Sequence, residues 1–216
     1  MIKPKVFICY PFVSGPWGGG NQFLRALREK FIDFGVYEEE PEKADIIVFN
    51  SHHQLVKVLR LKKYYPHKFF IHRLDGPLCY IRGREKYIDK VIYKINKFVA
   101  DGSIFQSDFC YRKNIELGHE RNKPFTIIHN APDSNIFNRE GKVLFSPQRK
   151  IRLIATSWSP NWNKGFETYL YIDNHLDFNR YEMTFVGNSP VKFNNIKMIA
   201  PVNSQRLSCL LKKNDI

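Results

Sequence analysis

At 216 residues the chain can hold one full domain and part or all of a second. Its 43% hydrophobic and 15% aromatic content supplies material for a core and excludes a disordered chain. A net charge of +13, from 34 basic against 21 acidic residues, favours phosphate-bearing partners: a sugar nucleotide, a nucleic acid or an anionic membrane surface. The first apolar segment, Val6 to Tyr10 with Phe12 beyond, is too short for a signal peptide. No run approaches the roughly 18 to 20 apolar residues of a membrane span. Cys9, Cys79, Cys110 and Cys209 lie far apart without CxxC spacing, so neither a zinc site nor a disulfide framework is expected. A reducing, cytoplasmic location is the expectation.

In chain order the segments alternate strand and helix, the pattern of an α/β fold with a mostly parallel sheet. Short apolar strands are predicted over 6–10, 46–50, 69–74, 103–106 and 125–129. Phe23, Leu24, Leu27, Phe31 and Phe34 recur at helical spacing over 21–34, and Gly35 follows as a C-cap. A helix over 84–98 places Tyr87, Ile88, Val91, Ile92 and Ile95 on one side and Lys86, Lys90, Lys94 and Lys97 elsewhere, a cationic surface able to rest on anionic lipid. Ser107 is a plausible N-cap for 108–117, closed by Gly118. Residues 138–150 gather Arg139, Gly141, Lys142, Pro147, Arg149 and Lys150 with little periodicity and read as a linker between domains 1–137 and 151–216. A second series follows: strand 151–157, helix 165–176, strands 181–186 and 196–199, and helix 204–213. About 70 residues are too few for a full doubly wound domain, so the second domain is expected to be incomplete within this sequence.

Four loops carry candidate chemistry. Gly18-Gly19-Gly20 lies between the first strand and its helix, where glycines let a ligand approach the backbone and free helix N–H groups attract phosphate or carboxylate. It has neither GxGxxG spacing nor a P-loop ending. His72-Arg73-Leu74-Asp75-Gly76-Pro77 sits at the carboxyl end of a strand, where a His, an Arg and an Asp can orient a hydroxyl, neutralise a phosphate and accept a proton. Lys164-Gly165 opens a helix, and a lysine there can hold a diphosphate and stabilise a leaving nucleoside diphosphate. Gly187-Asn188-Ser189-Pro190 is a further loop after a strand. The carboxylates form neither a glycosidase-like pair nor a metal cluster, so no metal is expected.

Taken in order, these motifs resemble the family-4 retaining glycosyltransferases, with their two Rossmann-like domains in the GT-B arrangement. The resemblance runs through Gly18-Gly19-Gly20, Ala44 to Asn50, His72 to Pro77, Phe105-Gln106-Ser107, Ile127 to Asp133 with Ile136-Phe137, Asn163-Lys164-Gly165-Phe166 and Phe185-Val186-Gly187. It implies transfer of a sugar from a nucleotide-sugar donor to an acceptor hydroxyl with retention of configuration, without a metal or other cofactor. Gly19 and Gly20 would approach the donor diphosphate, Lys164 would contact it, and Gly187 would line the nucleotide side. His72 and Asp75 would be catalytic, and Arg73 and Asn21 would meet a glycan, lipid-linked or protein acceptor. Two departures stand out: Ser157 and Trp158 occupy the neighbourhood of the family's phosphate-binding arginine, and the family's glutamate pair is expected beyond Ile216.

Other readings account for part of the pattern. A non-catalytic sugar- or nucleotide-binding module of the same fold would keep the motifs without turnover. A nucleic-acid-binding protein would use the charge and aromatics such as Lys62-Lys63-Tyr64-Tyr65, although nucleic acid is not the expected partner. Contact with a membrane face would be peripheral.

Overall fold

The computed structural model describes residues 3–15, 17–83, 86–121 and 123–216. Two parallel sheets carry the chain. The first joins β1 (Val6–Cys9), β2 (Ile46–Asn50), β3 (Phe69–Leu74), β4 (Gly102–Phe105) and β5 (Phe125–Ile127) in that spatial order. Its helices are α1 (Gly19–Asp33), α2 (Leu55–Tyr64), α3 (Leu78–Arg82), α4 (Lys86–Val99) and α5 (Asp108–Glu116). The second sheet joins β6 (Ile151–Ser157), β7 (Tyr181–Gly187) and β8 (Lys197–Ile199), with α6 (Phe166–His175) and α7 (Ser204–Lys212). Arg84, the expected first residue of the helix now seen as α4, lies outside the described residues, as do Met1 and Ile2.

Side-chain alternation along the strands sorts the first core into two layers. Val6, Ile8 and Val48 pack with Leu24 of α1 on one face. Phe7, Phe49 and Phe70 pack with Val58 and Leu61 of α2 and Val99 of α4 on the other. Phe49, Phe70 and Phe105 are fully enclosed, each contributing about 1.5–3 kcal/mol by burial. Placing α1 opposite α2 and α4 requires the chain to leave β1 in one direction and later build the sheet in the other, because parallel crossovers share one hand. A parallel bridge from Val6 to Tyr37 supplies the first direction, on the side of β1 away from β2. The strand order therefore switches between β1 and β2.

The molecule divides into two compact units, 1–12 with 22–131 and 13–21 with 132–216. This differs from the expected division at 137 and 150. The segment read as a linker has no helix or strand, yet it is fastened within the second unit. Val143 N–H donates to the Lys212 carbonyl, Lys212 reaches Asn138 Oδ1 at 2.8 Å, and Arg149 pairs with Asp215 at 2.6 Å. Polar composition signalled a loop, but these contacts join residues more than sixty positions apart. The helix α2 matches no element predicted from the sequence, and of the two lysines expected to form a nucleic-acid surface there, Lys63 is exposed while Lys62 is committed elsewhere. Lys62 pairs with Asp101 at 3.2 Å and lies over the Phe70 ring. Among the described residues no helix is long and apolar enough to cross a membrane.

In the second unit Phe166, Met183, Phe185 and Ile196 form the core. Asp173 on α6 is buried and accepts the N–H groups of Asn194, Asn195 and Ile196, which fixes the chain entering β8. The ends of β6 and β7 lie so close that a Cβ on Gly187, whose φ is 135°, would stand 1.9 Å from the Ser157 carbonyl oxygen. Gly187→Ala should therefore cost about 3 kcal/mol or more, whereas Gly20→Ala, which meets open space at the start of α1, should be neutral or stabilising by about 0.5–1 kcal/mol. Urea unfolding of the two variants checks the contrast, and similar midpoints would refute it.

Candidate functional site

In the first unit the polar cluster forms where the strands end. Arg73, 3% exposed, spans four segments. One terminal nitrogen donates to Asn50 Oδ1 at 2.6 Å and Asp75 Oδ1 at 2.7 Å; the other donates to Gln106 Oε1 at 3.2 Å and Asn130 Oδ1 at 3.0 Å. Its guanidinium also lies 4.3 Å from the centre of the Phe23 ring, from α1. With both terminal nitrogens committed, Arg73 organises the site and is not placed to neutralise a phosphate, as its sequence position had suggested.

Asp75 is the chemically useful member of this cluster. Its Oδ1 accepts from Arg73 and its Oδ2 from the Asn50 amide at 3.2 Å, while its side chain remains 26% exposed. A carboxylate held by two donors and open to solvent can orient a hydroxyl and take its proton. Tyr10 stands in the same field: burial first, and then the Asp75 charge, push its phenol up, while Arg73 pulls it back. Tyr10 also packs edge-on to His53, whose ring stacks on His52. These residues follow β1 and β2, at the switch in strand order where open α/β sheets bind ligands. Tyr10, His52 and His53 carry no local signal of function in the sequence, because the switch exists only through the Val6–Tyr37 bridge.

His72 was expected at the chemistry and is instead fully enclosed. Strand alternation turns it to the opposite face from Arg73. Its Nε2 donates to the Ser51 carbonyl at 3.0 Å, its Nδ1 accepts from Asn96 at 3.2 Å, and its ring stacks 4.2 Å from Phe49. Ser51 has φ 47°, a conformation costing a non-glycine residue about 1–2 kcal/mol, and its N–H donates to the Arg73 carbonyl. His72 and the adjacent backbone thus hold the strained corner that carries His52 and His53.

The residues expected around the donor collect in the second unit. Gly19 and Gly20 open α1 with nothing within 4 Å of where a Cβ would sit, whereas a Cβ on Gly18 would stand 3.1 Å from the Trp158 ring. Trp17 and Trp158 pair at 5.1 Å between ring centres. Lys164 is exposed at the end of a short 3-10 turn, Trp162–Lys164. Gly165 follows at φ 88° and leaves the N-terminus of α6 without a side-chain cap. Asn188 donates from its backbone to Ser157 and from its side chain to the Trp158 carbonyl, tying together the loops after β6 and β7. Asn21, expected to meet the acceptor, belongs to this unit. Its amide closes the 13–21 loop by accepting from Val13 N–H at 3.0 Å and donating to the Val13 carbonyl at 2.9 Å.

No protein-family model matches the chain, and no curated protein matches its sequence. Solved structures match in fold. Sucrose-phosphate synthase from Thermosynechococcus elongatus aligns with a TM-score of 0.71 and 12% identity, covering 97% of this chain and 73% of that one. Anabaena HepE, in complex with UDP-glucose, aligns at 0.65 and 12%, covering 93% and 69%. The trehalose-6-phosphate synthase OtsA aligns at 0.54 and 9%, covering 90% of this chain and 55% of its own. The chain has the α/β fold of GT-B glycosyltransferases, built from Rossmann-like domains.

Burial pushes the His72 pKa down to about 3. The unfolded imidazole takes up its proton near pH 6.5, so between these values the unfolded state binds more protons and stability falls as pH falls, by up to about 1.4 kcal/mol per unit. His72→Gln should flatten the dependence of unfolding free energy on pH below about 6.5. Equal slopes for parent and variant, measured in urea at successive pH values, would contradict this.

Proposed function

We propose that this chain transfers a sugar from a nucleotide-sugar donor to an acceptor hydroxyl, with retention of configuration and without a metal, as its resemblance to the family-4 enzymes implies. The observation that carries this is the grouping, in one compact unit, of the open glycines Gly19 and Gly20, the exposed Lys164, and the uncapped start of α6 beside the end of β6. Backbone N–H groups and an ammonium suit a diphosphate, and they stabilise the charge that develops on it as the sugar departs. The HepE complex with UDP-glucose supports a sugar nucleotide as the donor class.

The acceptor is assigned to the first unit. Asp75 orients its hydroxyl, Arg73 and Asn50 hold the carboxylate in place, and Tyr10 borders it. His72 acts as a positioning residue behind the Ser51 corner. The family's phosphate-binding arginine has no counterpart at Ser157 or Trp158. Ser157 Oγ is engaged with the Ser159 carbonyl, so compensation of the diphosphate charge falls to Lys164 and the helix terminus. That same substitution favours, as a second reading, a module that binds the donor without turning it over.

Calorimetric titration with UDP-, ADP- and GDP-linked sugars should find at least one binder. Lys164→Ala should weaken it roughly 10- to 100-fold by removing a charge-assisted contact. Asp75→Asn should leave donor binding intact and lower transfer about 100-fold or more. Binding without transfer in the parent would favour the second reading, and the absence of any sugar-nucleotide binding would defeat both.

A further inference from the structure

The outer face of α4 belongs to neither ligand site. The helix is highly amphipathic and runs for 14 residues, about 21 Å. Asp89, Ile92, Tyr93, Asn96 and Val99 are buried. Asp89 accepts the N–H groups of Leu78 and Cys79, and Asn96 donates to His72 and Ser103, so the helix cannot roll about its axis. Its outward face is fixed.

That face combines two stripes. Tyr87, Val91 and Phe98 are 68%, 44% and 74% exposed and fall, with Lys94, at positions i, i+4, i+11 and i+7, within one narrow sector of the helix. Lys86, Lys90 and Lys97 flank them along one side, all exposed. Asp89 is the one acidic residue of α4 and points inward. Lys97 pairs with Glu120 at 2.6 Å, while Lys90 and Lys94 make no ion pair among the described residues. Tyr87 and Phe98 thus stand largely in solvent on a helix whose inner face is well packed, Phe98 with the Lys97 ammonium 5.9 Å from its ring centre. A basic row beside an aromatic row is what a bilayer interface selects, with rings at headgroup depth and lysines reaching the lipid phosphates.

We infer that α4 docks the protein on the surface of an anionic lipid bilayer, lying in the interface plane with Tyr87, Val91 and Phe98 inserted. A nucleic acid would also attract the lysines, but here the exposed rings share their row with Val91 and Lys94, and the outer face of α4 carries neither arginines nor side-chain amides, since its one amide, Asn96, is buried. The inference is independent of sugar transfer.

Co-flotation with phosphatidylcholine vesicles, with and without phosphatidylserine, tests it on the whole chain. The protein should float with the anionic vesicles at low salt and be released as salt rises. Lys90→Glu with Lys94→Glu should lower partitioning at least about 20-fold. Lys192→Glu with Lys197→Glu, an equal charge change on exposed residues of the second unit, should lower it far less. Tyr87→Ser with Phe98→Ser should weaken binding even at unchanged charge. Four results would each overturn the proposal: no flotation with anionic vesicles at low salt; equal losses for the two charge-reversed pairs; no effect of removing the aromatics; or binding to a single-stranded oligonucleotide, abolished by the Lys90 and Lys94 changes, while vesicles stay unbound.

Discussion

A guanidinium removed from water must find partners for its donors, and Arg73 finds them on four separate segments: Asn50 at the end of β2, Asp75 after β3, Gln106 after β4 and Asn130 after β5. Breaking such a buried pair from one side typically costs about 3–5 kcal/mol, because the remaining groups stay enclosed and unpaired. The strand ends are therefore tied to one another through a side chain as well as through the ladder. This constraint shapes the site. It holds the Asp75 carboxylate at a set angle with one edge toward solvent, and it places Tyr10 within that charge's reach.

On the other face of β3, His72 performs a comparable task without charge. A neutral imidazole donating to Ser51 and accepting from Asn96 joins the end of β2 to α4. The two neighbouring residues thus brace the same edge from opposite faces, one by ion pairing and one by a relay of neutral hydrogen bonds. The relay also explains why α4 presents a constant outer face, since Asn96 is fixed between His72 and Ser103.

The second unit solves the same geometric problem with backbone. Ser157 and Gly187 are partners in register at the ends of β6 and β7, and Gly187 is a glycine because its neighbour's carbonyl occupies the place of a side chain. The resemblance had assigned this glycine to the nucleotide; its local reason is packing. Gly19 and Gly20 show the reverse: nothing in the fold crowds them, so their openness is available to a ligand.

Much of the fold was legible in the chain. Apolar runs of four to seven residues separated by helical periodicity identify buried parallel strands, because a strand covered on both faces leaves no polar alternation. The N-cap at Ser107 and the helices bearing Leu24 and Ile92 follow from local chemistry in the same way. Order along the chain also determined which loops lie at strand ends, and so brought His72, Arg73, Asp75, Lys164 and Gly187 to attention. Only the tertiary structure decided what each side chain does there. Whether Arg73 is free or spent depends on Asn130, 57 residues away, and the exposure of His72 depends on which face of β3 it occupies. The switch between β1 and β2 rests on a single bridge to Tyr37. Sequence periodicity encodes contacts within an element; partners brought together by chain crossings leave no local trace.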